Sequence, residues 1–157
     1  MTTHDRPSIE DVLKRTEALV AASDEELARN ATDLGDEFLS MGEAILEAWL
    51  EAKGAVPTDA TSEGFRLLAL HRQAARGNPS FNACRETCRE IVYHRNLIHS
   101  DPAAPETARR ARLGAMVVRH LALFIGGKLE SDGLGEFCCS SRGVRQTEQA
   151  ETQSETA

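Results

Sequence analysis

Aromatic side chains are scarce, at only 4% of the 157 residues. A chain that is nevertheless 41% hydrophobic must build its core from Leu, Ala, Val and Ile. No apolar run approaches the ~18 residues of a membrane span. The longest, Leu113 to Ile125, is interrupted by Arg119 and His120. The segment MTTHDRPSIEDVL lacks a cationic start followed by an apolar run, so no secretory signal is expected. The chain is expected to be cytoplasmic, with no membrane partner. Thiols stay reduced there, so its four cysteines predict no disulfide framework. A glycine-rich phosphate loop, a GxSxG elbow and a Glu-x-x-His pair are all missing. No cofactor is expected. There is no internal repeat, and no segment reads as a strand.

The formal charge of -7 opposes non-specific binding to nucleic acid or anionic membrane. The charge is unevenly placed. Ser8 to Glu63 carries 14 acidic and 4 basic residues. Arg66 to Ser100 carries 6 Arg against only Glu86 and Glu90, which allows a basic face on an acidic protein.

What remains is helical periodicity. Ser8 caps a first helix with Asp11 at the capping-box position, and Ile9, Val12, Leu13, Thr16, Leu19 and Val20 recur along it. Ser23 caps a second helix, with Glu26 three residues on and apolar residues from Leu27 to Leu50. Gly54 stops it near Lys53. Gly35 and Gly42 weaken this helix by about 1 kcal/mol each relative to Ala. They suit the close approach of a neighbour, or a break near Gly35. A third helix starts at Thr61 or Ser62 and ends at Gly77-Asn78-Pro79. Ser80 caps a fourth that runs to Asp101-Pro102. Pro105 suits the first turn of a last helix, which frays at Gly126-Gly127. The expected fold is all-α, a four- to five-helix antiparallel bundle over residues 8–130. A disordered polar tail is expected over 131–157, within which Leu134, Phe137, Cys138 and Cys139 are placed to dock weakly or, for the two thiols, to be redox-active.

The segment Ser80 to Asp101 has the richest chemistry. Cys84, Cys88, Arg95 and His99 share one face of its helix. Its apolar part should be buried, with Arg95 and His99 emerging at the helix end. An Arg beside a His that titrates near neutrality can stabilise a phosphate while the His moves a proton. Cations in the last turn of a helix also gain ~0.3–1 kcal/mol each from its dipole, which accounts for the same residues without catalysis. Cys84 and Cys88 are spaced to hold one metal, completed by His94, His99 or Cys138-Cys139. Their spacing is not that of a zinc finger, and core packing is the favoured reading. His71 and His120 read as partly buried, hydrogen-bonded histidines. Arg109, Arg110 and Arg112 stand where cations oppose the helix dipole and read as a solvated face, with an anion or acidic partner as the alternative.

The run Tyr93-His94-Arg95-Asn96-Leu97-Ile98-His99-Ser100-Asp101-Pro102 resembles the motif of HEPN-domain proteins. In that family an Arg, followed by a polar residue, precedes a His near the end of a helix. Arg95, Asn96 and His99 take those places here, with a gap shorter than the family's usual one. Arg89 and His94 offer a second register, with Glu90 after the Arg. The resemblance implies a small helical bundle that forms a homodimer with a composite, metal-independent ribonuclease site, of toxin or defence type. It implies RNA as substrate and an antitoxin as a protein partner. In such a site His99 moves the proton of the attacking ribose hydroxyl and Arg95 stabilises the phosphate. Members without the motif serve as binding modules. The alternative here is therefore a non-catalytic bundle, an adaptor or regulatory subunit that binds a protein.

Overall fold

Ser8 opens the first helix through a reciprocal cap. Its Oγ accepts from Asp11 N at 3.0 Å, and Asp11 Oδ2 accepts from Ser8 N at 3.1 Å. The computed structural model describes residues 6–76 and 81–132. Among them lie six helices: α1 (Ile9–Ala21), α2 (Asp24–Arg29), α3 (Ala31–Ala52), α4 (Arg66–Ala75), α5 (Asn82–Ser100) and α6 (Thr107–Ser131). The only β pairing among these residues is one isolated bridge, Ser62 to Phe65. The all-α bundle expected from periodicity is the fold.

The count exceeds the expected four to five because the second predicted helix breaks, and it breaks at Asn30 rather than at Gly35. Asn30 leaves helical geometry at φ -106 and ψ 14. Its Nδ2 donates to Glu26 O at 3.0 Å. A short amide that bonds the carbonyl one turn back competes with the backbone ladder. Leu27 and Ala31 stay buried on either side of the corner.

Gly54 ends α3 as expected, with φ +81. Ala55 N donates to Leu50 O at 2.8 Å and Gly54 N to Glu51 O at 3.0 Å, the paired bonds of a Schellman motif. The next helix starts later than predicted, at Arg66. Glu63 and Gly64, both at positive φ, make a tight turn between Ser62 and Phe65, which exchange backbone bonds of 3.0 Å. Arg66 Nε then donates to Thr58 O at 2.9 Å, and its guanidinium pairs with Glu43 and Glu47 of α3.

α3 meets all five other helices, and α6 packs on α1, α2, α3 and α5. α6 begins two residues after Pro105 and does not fray at its double glycine, since Gly126 and Gly127 are buried inside it. Gly114 is where α6 meets α3. A Cβ there would lie 2.5 Å from Phe38 Cε2. Arg112 is not a solvated cation. It donates to Val20 O at 3.2 Å, to Ala22 O at 2.9 Å and to Asp24 Oδ1 at 2.7 Å, closing the corner between α1 and α2. Arg6, ahead of the first cap, pairs with Glu51 at 2.7 Å and Glu47 at 3.6 Å. Ser131 and Asp132 still belong to the end of α6. The rest of the expected tail, with Leu134, Phe137, Cys138 and Cys139, lies outside the described residues, as does the expected cap Ser80.

Candidate functional site

The last turns of α5 lie against α3 where α3 has no side chain. A Cβ on buried Gly35 would stand 3.4 Å from both Arg95 Cγ and His99 Cδ2. The glycine thus lets two long side chains lie flat on α3 and brings them to its neighbour, Asp36. His99 Nε2 is 3.0 Å from Asp36 Oδ1, and Arg95 Nε is 3.4 Å from the same oxygen. The His99 contact does not lie along an N–H direction, so Asp36 acts on that ring as an adjacent charge rather than as an aligned acceptor. Arg95 Nη1 donates to Asn96 Oδ1 at 3.0 Å, and its guanidinium carbon is 5.8 Å from the Phe65 ring centroid. The Arg95 and His99 side chains are 28% and 29% exposed, enough for a ligand to reach them.

Arg95, Asn96 and His99 are therefore brought together, and Asp36 joins them from 59 residues away. Periodicity cannot reveal Asp36. The one local signal is its place beside Gly35. The second register is not assembled. Arg89 makes a bidentate pair with Glu63, both bonds 2.9 Å, while the charged neighbours of His94 are Glu90 and Arg110. Burial holds the His94 imidazole below its ordinary range; the Glu90 carboxylate opposes this and Arg110 adds to it. His94 Nδ1 is buried without a hydrogen-bond partner.

The two cysteines of α5 are core residues, 3% and 0% exposed for Cys84 and Cys88. His71 of α4 is also buried and its Nε2 lies 3.0 Å from Phe81 O, matching its reading as a bonded histidine. His120, by contrast, is exposed, because it falls on the solvent side of α6. Among the described residues, no group of three or more His, Cys, Asp or Glu is placed to hold a metal ion.

The sequence gives no hint that Cys84 and His71 interact across α4 and α5. The Cys84 thiol is pushed down to about 6, first by a hydrogen bond from Cys88, then by His71, with burial opposing. Cys88, which keeps its proton to make that bond, is pushed well up. For His71, burial is the largest influence and lowers its pKa, but bonds to Cys84 and Phe81 outweigh it and the net shift is upward. A depressed thiol stabilises the fold above its unfolded pKa, and this is lost as pH falls through about 6. A raised imidazole stabilises it below its unfolded pKa, and this is lost as pH rises through the folded value. The two contributions oppose each other above neutrality, so thiolate absorbance is a cleaner readout than melting. Its midpoint is expected near pH 6, absent in Cys84→Ser and raised more by Cys88→Ala than by His71→Ala. A midpoint in the ordinary thiol range would refute the assignment.

No protein-family model, curated protein or solved structure matches this chain.

Proposed function

We propose that this protein is a metal-independent ribonuclease whose site is Arg95, His99 and Asp36, with Asn96 holding the Arg95 guanidinium. The observation that carries the reading is the meeting of Arg95 and His99 with a carboxylate on a partly exposed surface. Asp36 occupies the Nε2 side of His99, leaving Nδ1 to take a proton from a ribose 2′-hydroxyl. The carboxylate stabilises the imidazolium that results, as the third member of a catalytic constellation does. The 2′-oxygen forms a bond to the adjacent phosphorus as the bond from phosphorus to the 5′-oxygen breaks. The leaving oxygen takes its proton from a second His99 when two copies pair, and otherwise from water. Arg95 uses two of its donor directions on Asp36 and Asn96 and keeps the others for the phosphate oxygens.

The test is cleavage of single-stranded RNA by purified protein in a chelator. Fragments with cyclic phosphate and 5′-hydroxyl ends are expected. Intact RNA, or cleavage that the chelator removes, would overturn the reading.

A groove of about 430 Å³ between α1 and α6 favours a second reading. Val20 and Ala21 line it with Met116, which is 50% exposed. In that reading the Asp36 cluster only ties α3 to α5, and the bundle acts by binding an apolar segment of a protein partner, such as an antitoxin. Met116→Asp then abolishes partner binding and leaves RNA untouched.

A further inference from the structure

A second cleft, between α4 and the first half of α5, has a charge pattern that the ribonuclease reading does not use. Its volume is about 560 Å³, within the roughly 300–1,000 Å³ of small-ligand sites. Arg72, Arg76, Arg85 and Arg89 line it, and among the described residues the only carboxylate in its wall is Glu63. That carboxylate is taken by Arg89 in the bidentate pair. Arg72 donates to the Ser62 hydroxyl at 3.4 Å, and it and Arg85 act on Glu63 only as neighbouring charges, without a salt bridge. Arg72, Arg76 and Arg85 therefore face one cavity with no carboxylate in salt-bridge contact among the described residues.

Ordinary helix electrostatics explains only part of this. Arg72 and Arg76 stand at the C-terminal end of α4, where cations are favoured. Arg85 stands near the N-terminal end of α5, where the dipole opposes a cation. Three like charges around one cleft repel one another, and in a chain of net charge -7 carboxylates to neutralise them are plentiful elsewhere.

We infer that this cleft binds a compact ligand carrying two or three adjacent phosphate groups, gripped by Arg72, Arg76 and Arg85. Guanidinium forks match phosphate oxygens in pairs, and three of them balance the charge of such a group. The neighbouring cleft limits the size of the anion. That cleft, of about 480 Å³, leads along α5 to Asn96 and is lined by Glu63, Glu86 and Glu90 with Arg89 alone opposing them. A long polyanion leaving the arginines toward Arg95 would meet these carboxylates, so the cationic surface suits a short ligand and not an RNA strand. The inference stands independently of the catalytic reading.

The experiment is titration calorimetry of the full chain with inorganic triphosphate, a nucleoside triphosphate and a short single-stranded RNA at physiological salt. Saturable binding of one triphosphate per chain is expected. Arg76→Gln and Arg85→Gln, both at exposed positions, should each weaken it by about tenfold or more, the loss of a charge-assisted bond. Arg109→Gln, the same charge change on α6, should leave it unchanged. Equal affinity for the two triphosphates supports recognition of phosphate alone. Tighter nucleotide binding supports a site that also seats the base. No saturable binding, equal loss in all three variants, no loss in any, or RNA binding tighter than triphosphate would each overturn the inference. Because binding and not cleavage is read, a chain that cleaves no RNA can still pass.

Discussion

RNA cleavage by the His99→Ala variant is expected to fall by about two to four orders of magnitude, the usual worth of a positioned general base. The fold should survive, because His99 is partly exposed and its Asp36 contact is not an aligned hydrogen bond. Unfolding should shift by no more than ~1 kcal/mol, the upper range for a partly exposed polar contact. Arg95→Lys tests the second role. It keeps the charge but loses the planar fork, so the rate should drop while RNA still binds. Asp36→Asn separates positioning from structure: it leaves the side-chain size nearly unchanged, and the cleavage rate should fall because the imidazolium formed during the reaction has lost its adjacent charge. Wild-type rates from His99→Ala would end the proposal. An Asp36→Asn variant that cleaves at the wild-type rate would reduce Asp36 to a link between helices.

The second large effect lies in the core, where Phe38 of α3 meets Gly114 of α6. Phe38 is fully buried, and Phe38→Ala should cost about 3–5 kcal/mol in denaturant melts. Gly114→Ala should also destabilise, although Ala is the better helix former by about 1 kcal/mol. The added methyl would sit 2.5 Å from a fully buried ring. Overpacking costs about 1–3 kcal/mol, which outweighs the gain. The sign should reverse in the double variant. With the ring gone the methyl has room, so Gly114→Ala should stabilise the Phe38→Ala protein by about 1 kcal/mol. Additive effects would show that the two residues do not compete for one space.

These cases mark where sequence reasoning worked. The caps at Ser8 and Ser23 and the stop at Gly54 were legible because each is decided within four or five residues. The burial of Cys84 and Cys88 followed from their face of α5. The corner at Asn30 was missed because the apolar spacing continues through it, and only the amide's bond to Glu26 shows the break. The late start of α4 was missed because Glu63, a residue that rarely takes positive φ, does so beside Gly64. In the site, Arg95, Asn96 and His99 lie on adjacent turns and could be grouped from spacing. Asp36 and the Cys84–His71 contact depend on which helices become neighbours, which is tertiary information. The same holds for Arg112, which reads as a surface cation until α1 ends beside it.

That arginine also bears on the order in which the chain folds. Its bonds to Val20, Ala22 and Asp24 span 92, 90 and 88 residues. The helix that carries it covers faces of α1, α2, α3 and α5, yet is the last of the six to be synthesised. On the ribosome the apolar stripes of α1 and α2, with Val12, Leu19 and Leu27, are therefore made long before their cover exists. Loop closure of this length must precede the contacts that reward it, which slows folding and leaves nascent chains open to association. Docking of α6 then becomes the step that completes the bundle, and nascent chains stalled short of Arg112 are the ones most in need of a chaperone.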